Sequence, residues 1–225
     1  MTGAPRASAA RVARDLARRD RVLAGLVERY GPPRLGARVP VEQRFAVLAR
    51  AILYQQLAGG AARAIHGRFV AALGGEVSPE RVLAAGPEAL AAAGLSRAKA
   101  AAVRDLAEKV ITGEVALAGL GRQPDDEVVA HLVRVRGIGR WTAEMFLLSS
   151  LRRPDVWPVD DFGVRAGYAR AWSLGALPSP AELAPLGERF RPFRSTVAWY
   201  CWRAADEPKP DATTTGRPGR RRVGG

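Results

Sequence analysis

The chain has 225 residues, 48% apolar and 25% charged, enough to bury a sizeable core in one or two small domains. Its net charge of +13 and pI near 11.2 exceed what solubility requires and point to a polyanionic partner, and only +2 of that charge falls in residues 206–225. A single cysteine excludes a disulfide framework, a four-cysteine zinc site and a four-cysteine iron–sulfur cluster, and no apolar run is long enough to cross a bilayer.

Taken in chain order, the signals are helical. Residues 6–19 read as a helix with Arg11, Arg14 and Arg18 along one side, and Asp20 as the N-cap of a second helix through Tyr30, stopped by Gly31-Pro32-Pro33. Phe45, Leu48, Ile52 and Leu53 give an amphipathic stretch from Glu42 to Leu57, followed by a helix from Gly60 to Leu73. Ser78-Pro79 and Gly86-Pro87 each look like a cap followed by proline at the first helical position. Ser96 caps a helix to Thr112, with Gly113 just past its end. A helix from Asp125 to about Arg134 leads into Gly137-Ile138-Gly139, and the next runs from Trp141 to Ser150. After a loop from Arg152 to Val159, Asp160-Asp161 opens a helix to Trp172, and a last helix spans Arg194 to Ala204. No alternating strand pattern of useful length is present, so the fold class is all-α. From Glu207 to Arg222 no apolar side chain other than proline exceeds alanine, and residues 206–225 read as a disordered basic tail.

His66 and His131 lack carboxylates at ligand spacing and read as surface or satisfied positions. Cys201, among Trp199, Tyr200 and Trp202, reads as a small buried residue. The arginine-rich N-terminus lacks the apolar stretch of a secretory signal, which points to the cytoplasm, with the nucleoid as workplace.

The most informative run is Arg136-Gly137-Ile138-Gly139-Arg140-Trp141-Thr142. Gly137 and Gly139 permit positive φ and close approach, so successive amides can face a phosphate oxygen, while Ile138 plugs the gap between the two helices. The following helix start, Arg136 and Arg140 add positive potential, and a grip made of main-chain donors is indifferent to base sequence. The bland alternative is an ordinary helix–helix turn.

In the context of Leu132 to Leu148 and of Arg153-Pro-Asp-Val-Trp-Pro-Val-Asp-Asp-Phe-Gly-Val-Arg165, this run resembles the helix-hairpin-helix (HhH-GPD) DNA glycosylases, most of all the 3-methyladenine DNA glycosylase II branch. Ala51 to Leu57, Gly94 to Lys99 and Phe193 to Arg203 agree in order, so the likeness covers roughly residues 20–204. The resemblance implies two helical subdomains flanking a DNA-binding cleft, one of about residues 42–150 and one from 1–41 and 151–205, without the N-terminal β domain of the branch's larger bacterial members. It implies a monomer on double-stranded DNA with alkylated bases, no cofactor for chemistry, and an ion held at the hairpin by main-chain carbonyls, placed here on Val133, Val135 and Ile138.

It also implies that Asp161 is the carboxylate required for base removal and Asp160 its capping neighbour, although aspartate is a good N-cap in its own right. Trp202, Trp141, Phe162 and Met145 are the expected pocket residues; core packing is the alternative for Trp141. Gln55, Gln56, Arg136, Gly137, Ile138, Gly139, Arg140 and Thr142 are expected at DNA, with Gln56 either the wedge that fills the vacated space or a solvated loop residue. Relatives that also cut the strand carry a lysine after the hairpin, where this chain has Trp141, so the expectation is base excision without strand cleavage. A damage-binding protein without catalysis and a glycosylase for an oxidised or deaminated base are the other readings.

Overall fold

The computed structural model describes residues 8–34 and 36–207, and the expected tail beyond Glu207 lies outside them. Among the described residues there are eleven α-helices and no strand, as the sequence led us to expect. They are α1 (Ala9–Arg19), α2 (Arg21–Tyr30), α3 (Arg44–Tyr54), α4 (Gly59–Ala72), α5 (Pro79–Ala92), α6 (Arg97–Ile111), α7 (Asp125–Leu132), α8 (Arg140–Ser149), α9 (Phe162–Ala171), α10 (Pro180–Leu186) and α11 (Arg194–Ala205).

The caps are those the sequence advertises. Asp20 Oδ1 accepts from the amides of Val22 and Leu23, Ser78 Oγ from Arg81, and Ser96 Oγ from Lys99. Inside α5, Gly86 takes φ 71 and ψ 166 ahead of Pro87, so this element is two helical segments meeting at a break. Helix α1 starts at Ala9 rather than residue 6, α7 ends at Leu132 rather than about Arg134, and two further boundaries differ from expectation. Helix α3 stops at Tyr54 rather than Leu57, because Gln55 turns extended (φ −55, ψ 133) and Gln56 enters the left-handed region at φ 57. Asp206 caps α11, and Glu207 pairs with Arg29 and Tyr30, so these first two residues of the segment read as tail are part of the fold. Helix α10, absent from the sequence reading, opens on a capping box between Ser179 and Glu182.

The apolar side chains form two cores rather than one. Leu48, Ile52, Leu53, Phe69, Leu106, Leu132 and Phe146 belong to the first, which also takes in Leu151 and Val156. Leu16, Leu23, Val164, Tyr168, Phe190, Val197 and Tyr200 belong to the second. Trp202 on α11 packs against both, which places it at the seam. Helices α9 and α11 touch backbone to backbone: a Cβ on Gly167 would sit 1.8 Å from the Cys201 carbonyl oxygen. That contact brings the start of α9, with Asp161, to the edge of Trp202.

Candidate active site and DNA-binding hairpin

Asp161 is the N-cap of α9 and is 8% exposed, whereas Asp160 is exposed. Its Oδ1 accepts from the amide of Val164 at 2.8 Å and from the Trp202 indole Nε1 at 2.8 Å, and its Oδ2 accepts from Trp141 Nε1 at 2.8 Å. Three N–H donors from three elements therefore take the place of water around one carboxylate. The start of α9 adds the positive end of its dipole. An ionised carboxylate offers about four acceptor sites; the amide and one indole take two on Oδ1, and the other indole takes one on Oδ2.

Gly163 makes this clasp possible. A Cβ there would stand 2.8 Å from Trp202 Cδ1, 3.3 Å from Trp202 Nε1 and 3.2 Å from Asp161 Oδ1. Sequence reasoning missed Gly163, because the indole that needs the space comes from the far end of the chain.

The expected pocket residues separate into two groups. Met145 and Trp202 line a cavity of about 780 Å³ shared with Leu148, Thr196, Trp199 and Arg38. Trp141 and Phe162 do not line it: Trp141 is 42% exposed with its indole edge on Asp161, and Phe162 is 68% exposed at the start of α9. Trp202 thus presents one edge to the acid while forming a wall of the cavity.

The hairpin lies between α7 and α8. Gly137 has φ 78, and a Cβ on it would also meet the Ala102 Cβ at 3.1 Å, so two constraints select glycine. Gly139 departs from expectation. It is extended (φ −88, ψ 175), a conformation open to any residue, and its surroundings are open space. What glycine contributes at 139 is access rather than a special dihedral angle. Ile138, 3% exposed, packs in the first core. The Arg136 amide is already taken by Asp105 Oδ2 at 2.7 Å and that of Ile138 by the Val135 carbonyl at 3.0 Å, so neither faces outward. Arg140, its side chain 68% exposed, rests its Nε on Glu144 Oε1 at 2.9 Å. Glu144 is 4% exposed, with Oε2 buried and unpartnered; burial pushes its carboxyl above the ordinary value, with Arg140 opposing.

Gln55 and Gln56 have diverged in role. The Gln55 side chain turns inward, its Nε2 donating to the Gly137 carbonyl at 2.9 Å and the Thr142 hydroxyl at 3.2 Å. Thr142, 5% exposed, is occupied by that contact. Gln56 is exposed at the tip of the turn. Lys99, which sequence reasoning did not assign, donates to the carbonyls of Leu53 at 2.6 Å and Gln55 at 2.9 Å.

Among the described residues no group of three or more His, Cys, Asp or Glu could hold a metal ion, and no helix is long and apolar enough to cross a membrane. Main-chain carbonyls are the donors that remain at the hairpin. That of Val135 takes the Ile138 amide, and those of Val133 and Ile138 accept no main-chain hydrogen bond among the described residues outside regular helix.

Comparison with known proteins gives the family and the fold. DNA-3-methyladenine glycosylase 1 of Schizosaccharomyces pombe is 35% identical over 195 residues, covering 84% of each chain. The structure of the Schizosaccharomyces pombe 3-methyladenine DNA glycosylase in complex with abasic DNA superposes with a TM-score of 0.77 at 32% identity, over 85% of this chain and 95% of that one. The Bacillus halodurans DNA-3-methyladenine glycosidase gives 0.79 at 31% identity, over 87% and 89%. Residues 49–192 match the model of the HhH-GPD superfamily of base excision DNA repair proteins, and the chain belongs to that superfamily.

Proposed function

We propose that this protein is a monofunctional DNA glycosylase that removes alkylated purines, of the 3-methyladenine type and 7-methylguanine, from double-stranded DNA in base excision repair. The observation that carries the reading is the Asp161 carboxylate, buried under two indole N–H groups at a helix start and beside a glycine hairpin.

The chemistry follows from charge. A purine alkylated at N3 or N7 is already cationic and leaves without much acid assistance, so the demand falls on deoxyribose, where positive charge grows at C1′ as the N-glycosidic bond breaks. A fixed carboxylate stabilises that charge, with no reorganisation needed at the moment of reaction. The second acceptor site of Oδ2 is where a water would be oriented and its proton accepted as oxygen bonds to C1′. The products are the free base and an abasic strand.

The base must first leave the stack. The cavity beside Met145 and Trp202 receives it, and the indole face suits a cationic ring. Gln56 enters the vacated space. The amides of Gly139 and Arg140, with the Arg136 and Arg140 side chains, take the backbone phosphates. The carbonyls of Val133, Val135 and Ile138 would hold a cation there, and its charge would attract a phosphate oxygen.

Base removal without strand cleavage rests on amine chemistry. The chain has three lysines, Lys99, Lys109 and Lys209. Lys99 is engaged with two carbonyls and Lys109 with Asp105, and the position after the hairpin is Trp141, which cannot form a Schiff base.

The test is a methylated duplex treated with the full chain, with and without later hot alkali. Release of methylpurine with breaks only after alkali is the expected result. Binding without release would end the enzymatic reading, and a borohydride-trapped adduct would end the monofunctional one.

A further inference from the structure

The turn that joins α3 to α4 is held in a way that neither helix requires. Lys99 lies in the first turn of α6, where a positive charge opposes the helix dipole. Its ammonium instead reaches the C-terminal end of α3, the negative end of that helix, and donates to the carbonyls of Leu53 and Gln55. The side chain is half-buried, and burial lowers its proton affinity, so the position costs free energy that these two hydrogen bonds offset. From the other side, Gln55 Nε2 reaches across to the Gly137 carbonyl and the Thr142 hydroxyl of the hairpin. The peptide just before Gln56 is thus gripped at its carbonyl by α6 and through its side chain by the hairpin. Gln56 itself stands at φ 57, a left-handed conformation that costs a non-glycine residue about 1–2 kcal/mol. Strain of that kind persists only where the surroundings enforce it.

We propose that Lys99 and Gln55 are positioning residues that clamp the α3–α4 turn to the phosphate-binding hairpin and so hold Gln56 raised for insertion into the DNA stack. The inference rests on the reading of Gln56 as the wedge. Gln55 is then a strut, turned away from the DNA it was expected to touch. The clamp ties the place where the strand is held to the place where it is opened: a phosphate seated on the hairpin fixes how far the Gln56 side chain extends. Neither Lys99 nor Gln55 is among the donors to Asp161, which are Val164, Trp141 and Trp202, so the clamp acts on insertion and not on the acid itself.

A wedge matters when a base is stacked and paired, and matters little when the partner base is already missing. The experiment therefore uses the full chain with Lys99→Met, Gln55→Met, Gln56→Ala and the Lys99→Met/Gln56→Ala double variant, each first checked for an unchanged melting curve. Single-turnover release of 7-methylguanine is measured with the lesion paired and with it opposite an abasic site. Lys99→Met and Gln55→Met should slow release from the paired duplex about tenfold, equivalent to about 1.4 kcal/mol. They should change release opposite the abasic site by no more than about twofold, and Lys99→Met should add nothing once Gln56 is alanine. Lys99→Arg, which can still donate to both carbonyls, should recover most of the rate.

A second readout needs no bond cleavage. In a duplex with 2-aminopurine beside a tetrahydrofuran abasic analogue, binding of the unaltered protein should raise fluorescence, and the Lys99→Met and Gln56→Ala variants should bind without the rise. Equal slowing on both duplexes, additive losses in the double variant, or a fluorescence rise that survives Lys99→Met would each overturn the clamp. Failure of the unaltered protein to release any base would refute the glycosylase reading while the fluorescence result still judges the clamp, and absence of any rise with the unaltered protein counts against it.

Discussion

Replacing Gly163 with alanine places a methyl group where the edge of Trp202 now stands. The added Cβ would be 2.8 Å from Trp202 Cδ1, while carbon atoms rest at about 3.5–4.0 Å, so the indole must retreat by roughly 0.7–1.2 Å. Its Nε1 now lies 2.8 Å from Asp161 Oδ1, and a retreat of that size carries it to about 3.5 Å, beyond useful hydrogen-bond range. A hydrogen bond to a charged group contributes about 1.5–3 kcal/mol, and each 1.36 kcal/mol is tenfold in rate, so base release should slow about 10- to 100-fold. The backbone at 163 is ordinary helix, and alanine suits it, so stability should change by only about 1 kcal/mol, a Tm shift of roughly 2–4 °C. The assay is single-turnover release of 7-methylguanine from duplex DNA, with affinity for an abasic analogue measured beside it by fluorescence polarisation. Unchanged affinity with slowed release is the expected outcome. An alanine variant that releases base at the original rate would refute the claim that the Trp202 edge fixes the acid.

Three further outcomes follow from the same geometry. Asp161→Asn places an amide that carries its own donors among the N–H groups of Trp141, Trp202 and Val164; release should fall by about 10²–10³ with DNA affinity retained, and retained turnover would remove Asp161 from its role. Gly137→Ala must hold φ 78 and press on Ala102, costing roughly 1–2 kcal/mol; salt titrations of DNA binding should show weaker affinity for any duplex sequence, and loss at one sequence alone would contradict a backbone grip. Burial raises the Glu144 carboxyl above its ordinary 4.5, so the folded state binds that proton more tightly than the unfolded chain, and its stabilising share is full below 4.5 and lost as pH rises through the folded value. Glu144→Gln should therefore flatten the decline of Tm with rising pH in that window, and a curve parallel to the parent's would rule burial out as its cause.

Much of the helical order was legible because its signals are local. Asp20, Ser78 and Ser96 cap within three residues of themselves, and the Gly86-Pro87 break is written in two adjacent residues. Helix α10 escaped although Ser179-Pro180-Ala181-Glu182 carries a capping box, because seven residues containing Pro185 give too short an apolar period to register. The site was legible only as an inventory. Asp161 and its two tryptophans were each singled out, yet their relation was not, since the partners lie 20 and 41 positions away and meet only when α8, α9 and α11 pack. Both indoles were expected as pocket walls, and one turns its edge to the acid without reaching the cavity. Lys99 and Gly163 were passed over for the same reason. A lysine in a first helical turn and a glycine after an N-cap announce nothing until the carbonyls and the indole they serve come from elsewhere.

Trp202 packs against both cores and also clasps the acid, and Trp141 reaches that acid from α8 in the first core. The two halves of the molecule therefore cannot slip against each other without parting Asp161 from the Trp141 indole. A chain loosened at that seam keeps its hairpin for a phosphate backbone, yet loses rate at the bond it should break. For an agent whose product is a hole in the genetic text, the architecture thus ties the pace of excision to the fit of its two halves.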